Sequence, residues 1–277
     1  MHKYIVFLFF IIAFFTTFFL LKSNLIKTTM KYFPTDKYES FEYAKTELYT
    51  LQQDKNIHWG TESMSSKIAY LRQDVSLLYE NGKFKGVQSE WEQHLDKLKL
   101  SKRFQQSSSS LLQVISFHHG ELHYPNDQIN SIQKMTGDQL YIIIENDNLH
   151  SFRKPHTAFE KRWEIKLNEM MEQQTKGGWK SLINYFSISK EQYDSFPLTE
   201  LIQYETTTIP GRSKQETKKI IGQLWEGLYK NYIVLLHEKE NRESPHDVPL
   251  IMIAKDNDHL LVIFELNKEK QMLKQKL

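Results

Sequence analysis

The chain has 277 residues, no cysteine and a formal net charge of +2 at pH 7. With Lys3, Lys22 and Lys27 set aside, 33 of the 36 basic residues remain against 34 acidic ones, so no basic face for nucleic acid is expected. The absence of cysteine excludes a disulfide framework and processing at a cysteine, and ten Gly with seven Pro argue for a packed domain over a disordered stalk.

Tyr4 to Leu21 is an 18-residue run without charge, seven of its residues phenylalanine, set between Lys3 and Lys22. A bilayer-spanning helix needs about 20 such residues. Signal-peptide cleavage wants small residues just past the apolar core, and Phe18-Phe19-Leu20-Leu21 are bulky there. The expectation is an uncleaved, single-pass N-terminal anchor with its basic flank over residues 1–31, followed by a domain over 32–277. Lys22, Lys27, Lys31 and Lys37 beyond the run favour a cytoplasmic domain. A two-residue leader running straight into an apolar core has the shape of an export signal, and long domains translocate largely regardless of charge. The domain is therefore expected outside the cytoplasm.

Four capping-box patterns predict helix starts: Asp36-x-x-Glu39, Ser89-x-x-Glu92, Thr157-x-x-Glu160 and Ser213-x-x-Glu216. Helically spaced apolar residues follow each. They are Phe41, Ala44, Leu48 and Leu51; Trp91, Leu95 and Leu98; Phe159, Trp163, Leu167 and Met170; and Ile220, Ile221, Leu224, Trp225 and Leu228. Gly177-Gly178 predicts the end of the third helix. Strands are expected around an Asn81-Gly82 hairpin, over 111–118, 140–145 and 232–236, and as an antiparallel pair over 250–254 and 260–266. The fold class is α+β, antiparallel sheet packed by amphipathic helices behind one transmembrane helix. An echo between helix 90–99 with strand 111–118 and helix 214–229 with strand 231–237 raises two similar lobes, about 32–154 and 155–277.

Few residues suggest chemistry. In Phe117-His118-His119-Gly120-Glu121-Leu122-His123, an extended backbone puts His119, Glu121 and His123 on one face. Two imidazoles and a carboxylate suit Zn²⁺ with an open fourth position, provided Gly120 does not turn the chain. Ser187-x-x-Lys190 fits S-x-x-K without its companion motifs, and Asp256-Asn257-Asp258 reads as a solvated turn. No catalytic or cofactor motif is present. The leading expectation is a membrane-anchored, non-enzymatic module that binds a protein or envelope ligand. The alternatives are a tethered metal-dependent hydrolase using His119, Glu121 and His123, and a cytoplasm-facing regulator of a membrane complex.

Overall fold

The computed structural model describes residues 30–50, 55–146, 148–238 and 246–277, without the side chains of 237 and 238. The expected membrane anchor lies outside the described residues. Among those described, no helix is long and apolar enough to cross a membrane.

The first sheet has six antiparallel strands: β1 (Phe41–Thr50), β2 (Asn56–Glu80), β3 (Lys83–Gln105), β4 (Ser110–His123), β5 (Ile129–Glu145) and β6 (Asn148–Phe152). The expected Asn81-Gly82 turn joins β2 to β3, with φ of +48° and +77° at its two residues. β2 changes partners along its length. Its first half pairs with β1 from Thr50↔Ile57 to Phe41↔Ser65, and its second half pairs with β4 from Leu71↔Glu121 to Glu80↔Leu112. The register with β3 breaks between Met64 and Ala69, and there the sheet curls. β1 then lies over β4 and β5. Thr46 Oγ1 donates to Ser116 Oγ at 2.8 Å, and the Leu48 N–H donates to Asp138 Oδ2 at 2.8 Å.

The curled sheet encloses an interior with apolar ends and a polar middle. Leu48, Trp59, Leu78, Val114 and Leu140 fill one end; Phe41, Ala69, Leu122 and Ile132 fill the other. Between them the inward positions are Thr61 and Ser63, then Arg72, Asp74 and Ser76, then Ser116 and His118, all buried.

The second half begins with α1 (Ala158–Tyr185) and continues through β7 (Tyr193–Pro197), a 3₁₀ segment (Leu198–Glu205) and α2 (Lys214–Leu228). A π-helical turn (Tyr229–Ile233) leads into α3 (Val234–Glu238), and β8 (Leu250–Ala254), β9 (His259–Leu266) and β10 (Glu269–Lys276) complete a four-stranded sheet. α2 is sandwiched between the sheets. Trp225 stacks on Phe117 of the first sheet at 5.0 Å between ring centroids, and Leu224 and Trp225 share one core with Ile251, Val262 and Phe264 of the second. Each such fully buried side chain contributes about 1.5–3 kcal/mol. α1 staples the layers from outside: Leu167 packs on Leu111 and Tyr141, and Leu182 packs on Leu250, Met252 and Ile263. β8 and β9 are covered on both faces, which explains why they read as unbroken apolar runs.

The α+β class holds, as do the two later helix starts. Thr157 with Glu160 and Ser213 with Glu216 form complete capping boxes. Three other expectations are corrected. The helices expected from Phe41 and Trp91 are strands β1 and β3. The strand expected over 232–236 is helical, because Tyr232, Ile233 and Leu236 continue the α2 stripe into the same core. α1 does not stop at Gly177-Gly178. It runs on to Tyr185, and Gly178 lies so close to Asp247 that a Cβ would collide with its carboxylate. The echo of two lobes fails in its parts, since 90–99 is strand and 231–237 is helical.

Residues 30–36 are part of the domain. Met30 is buried in the main core, Tyr32 N–H donates to Glu226 Oε2 at 3.0 Å, and Thr35 bridges to Ser131 of β5.

Candidate functional site

Four places among the described residues hold chemically able groups: the outer face of β4, the β8–β9 turn, the polar interior, and a groove beside residues 32–38. Gly120 does not break β4, so His119, Glu121 and His123 do alternate onto one face of a continuous strand. They are not brought together as a ligand set. Glu121 Oε2 lies 3.5 Å from His123 Nε2, and the His123 ring stacks on Tyr70 at 3.9 Å. His119 turns instead toward Phe117, 6.3 Å between ring centroids, and is 2 % exposed with neither ring nitrogen bonded. Burial, then the Arg72 charge, depresses its pKa to about 4. Burial raises the Glu121 pKa against the opposing pull of His123 and Lys31.

Among the described residues, the group of three whose ligand atoms lie within 4.8 Å of one another is Asp256, Asp258 and His259. It sits on the β8–β9 turn with both aspartates exposed. His259 Nε2 and the Tyr193 hydroxyl share a hydrogen bond at 2.9 Å, and Asp258 contacts the other ring nitrogen. The S-x-x-K match falls in the turn after α1, where Ser187 has φ of +54° and its N–H donates to the Asn184 carbonyl at 3.1 Å.

The polar interior is a site that motif reasoning missed. His118 Nδ1 is 2.7 Å from Asp74 Oδ2, and His118 Nε2 is 2.8 Å from Thr136 Oγ1. Asp74 also accepts from Ser63 Oγ at 2.6 Å and from Arg72 Nη2 at 3.3 Å. Arg72 Nη1 donates to the Asp96 carbonyl at 2.6 Å, where the break in β2 exposes that oxygen to it. Thr46, Ser116 and Ser76 extend the chain of hydroxyls, with Ser116 donating to Ser76 at 2.6 Å. Burial alone would raise the Asp74 carboxyl. The opposing effect of His118, Arg72 and Ser63 outweighs it, and the net shift is downward.

Carboxylate, imidazole and hydroxyl in line is the order of an acid–base relay. Here Arg72, Asp74 and His118 are all 0 % exposed, and the strands of the curled sheet close over them. A group that no substrate reaches is better read as a satisfied network that pins strand register. The sequence signal, available in principle, is Arg72-x-Asp74-x-Ser76 alternating with apolar Leu71, Val75 and Leu77.

The groove holds about 1000 Å³, within reach of solvent, and is lined by Tyr32, Asp36, Tyr38, Tyr124, Asn130 and Lys219 among others. At its edge Asp36 Oδ2 accepts from Tyr124 Oη and Asn130 Nδ2, both at 2.8 Å, and Oδ1 accepts from the N–H groups of Tyr38 and Glu39. Burial opposes ionisation, but these four donors outweigh it and hold the carboxyl at about 2.

No family model and no curated protein matches the chain. One solved structure, a glycosyl hydrolase family 2 member from Bacteroides cellulosilyticus DSM 14838, is similar over 41% of this chain and 17% of that one. The TM-score is 0.23 and the identity 11%, too low to bear on fold or function.

Proposed function

We propose that this chain is a single-pass, membrane-anchored interaction module, working outside the cytoplasm and without catalysis of its own. The observation that carries the reading is the junction of apolar run and domain. Eight residues separate Leu21 from Met30, which is already inside the core. Fully extended, eight residues reach about 29 Å at most. A domain so joined to an anchor stays beside the membrane.

The contents of the domain favour binding. Its most acid–base-capable cluster is enclosed, and His119 stacks toward Phe117 rather than joining Glu121 and His123, which favours binding over a metal-dependent hydrolase. The groove at Tyr38 and Tyr124 has the size of a ligand site and offers aromatic faces beside amide and carboxylate groups. A segment of a partner protein or of an envelope polymer suits that lining.

Two experiments test the reading. A C-terminal reporter active only outside the cytoplasm should be active; an inactive one, with a cytoplasm-active reporter at the same position giving signal, would support the cytoplasm-facing regulator instead. A photo-crosslinking residue at Tyr38, activated in native membranes, should yield a discrete adduct that the same residue at Tyr185 does not. Identical adducts from both positions would sink the groove as the binding site.

A further inference from the structure

Large apolar side chains left in solvent are unevenly placed. Of the nine among the described residues, Tyr38, Ile68, Tyr70 and Leu95 cluster where β2 breaks register and β4 ends. Tyr70 stacks on His123 at 3.9 Å and meets His94 edge-on at 5.4 Å, and Leu95 pairs with Ala69 across the strands. Lys67 Nζ lies 4.5 Å over the Tyr124 ring, and Tyr124 donates to Asp36, two residues before Tyr38. The rings of Tyr70 and His123, and Lys67 over Tyr124, sit together at this corner; Ile68 follows Lys67 in the chain, and Leu95 lies on β3 opposite Ala69. Ile68 is 61% exposed and Tyr38 92%, values that a side chain folded back onto the protein does not show.

The described residues begin at this same corner. Lys31 acts electrostatically on Glu121, the neighbour of His123 and hence of Tyr70, while Met30 beside it is buried. Only residues 22–29 separate that point from the apolar run. An anchor ending at Leu21 would therefore keep this corner within about 29 Å of the bilayer. The composition of the corner suits that position: tyrosines carry an apolar ring and a polar tip, and lysines keep an ammonium in water while burying their stems. Lys31, Lys37 and Lys67 border the patch, with half-buried Glu39 and exposed Asp96 as acidic neighbours.

We propose that this corner, centred on Ile68, Tyr70 and Leu95, rests on the lipid surface and fixes how the domain stands on the membrane. The proposal rests on the anchor reading above, and its test separates the two. The native chain has no cysteine, so single substitutions place one label each. Full-length I68C, Y70C and L95C, with Y185C and M272C as exposed controls and I12C reporting on the run, are labelled with an environment-sensitive fluorophore. They are reconstituted in phosphatidylglycerol–phosphatidylethanolamine vesicles containing headgroup-quencher lipids for the domain labels and acyl-chain-quencher lipids for position 12, which lies mid-run.

Labels at 68, 70 and 95 should be quenched, at depths within about 10 Å of the headgroup–acyl boundary. Labels at 185 and 272 should report water. Quenching at position 12 with positions 68, 70 and 95 no different from the controls would overturn the lipid contact and leave the anchor standing. No quenching at position 12 would overturn both.

Discussion

His118 and Asp74 meet at 2.7 Å on adjacent strands, at cross-strand partner positions, with no solvent reaching either. Asp74 is also the acid partner of Arg72, so one carboxylate neutralises one buried guanidinium and orients one imidazole. Asp74→Ala leaves Arg72 buried beside no opposite charge, and breaking such a pair costs about 3–5 kcal/mol. Denaturant unfolding of the full chain in detergent should show that loss. A loss under about 1 kcal/mol, the range of a surface pair, would mean the cluster is far wetter than its burial indicates.

Asp36 holds residues 36–39 to β5 and the β4–β5 turn. Its pKa, about 2 in the fold, lies below the ordinary value of 3.8. A depressed carboxyl stabilises above its unfolded pKa, and that stability is lost as pH falls from about 4 through 2. Asp36→Ala should cost about 2 kcal/mol, the scale of hydrogen bonds to a charged group. It should also remove that part of the acid transition and open 30–40 to proteolysis. Unchanged cleavage would count against the clamp.

His119 and His246 are both held near pKa 4, by burial first and then by the charges of Arg72 and Lys83 respectively. The unfolded chain takes up these protons below about 6.5, whereas the fold resists until about 4. Stability should therefore fall as pH drops across that window. His119→Leu removes an imidazole with no bonded nitrogen, so it should flatten the slope between pH 6.5 and 4 without loss at pH 7.5. A steeper slope in the variant would contradict this.

Gly222 of α2 sits where a side chain has no room. A Cβ there would meet Tyr32 Cδ2 at 2.6 Å and would also collide with Gln133 Oε1. Gly222→Ala should destabilise by about 1–3 kcal/mol through overpacking. It should also free Tyr32, seen as faster hydrogen exchange over 30–36. Stabilisation by the substitution, as helix propensity alone would give, would show that the flank is not docked on α2.

The legible parts of this fold are those where local chemistry and tertiary packing agree. Thr157 and Ser213 start helices because their apolar stripes meet cores. Asn81-Gly82 turns because both residues accept positive φ. β1 was illegible for a physical reason: its inward positions alternate Ala44, Thr46, Leu48, and Thr46 is polar because it belongs to the buried network. That hid the period of two and left Phe41, Ala44 and Leu48 looking helical. The Asp36-x-x-Glu39 pattern is real as a turn, with Asp36 accepting from the Glu39 N–H, but a strand follows it. β3 was masked by Trp91, Leu95 and Leu98 at helical spacing across the kink at His94, whose φ is +59°. At the site, the alternation of His119, Glu121 and His123 was readable, but which neighbours each ring would choose was not. The buried network needed residues 44 positions apart, Asp74 and His118, which the pairing of β2 with β4 brings together.

Retention of the apolar leader is tested most directly by the intact mass and N-terminal sequence of the chain from alkaline-washed membranes of its native cell. Tethering predicts a polypeptide that retains Tyr4 to Leu21 in the membrane pellet. A soluble product beginning between about residues 22 and 29 would contradict it.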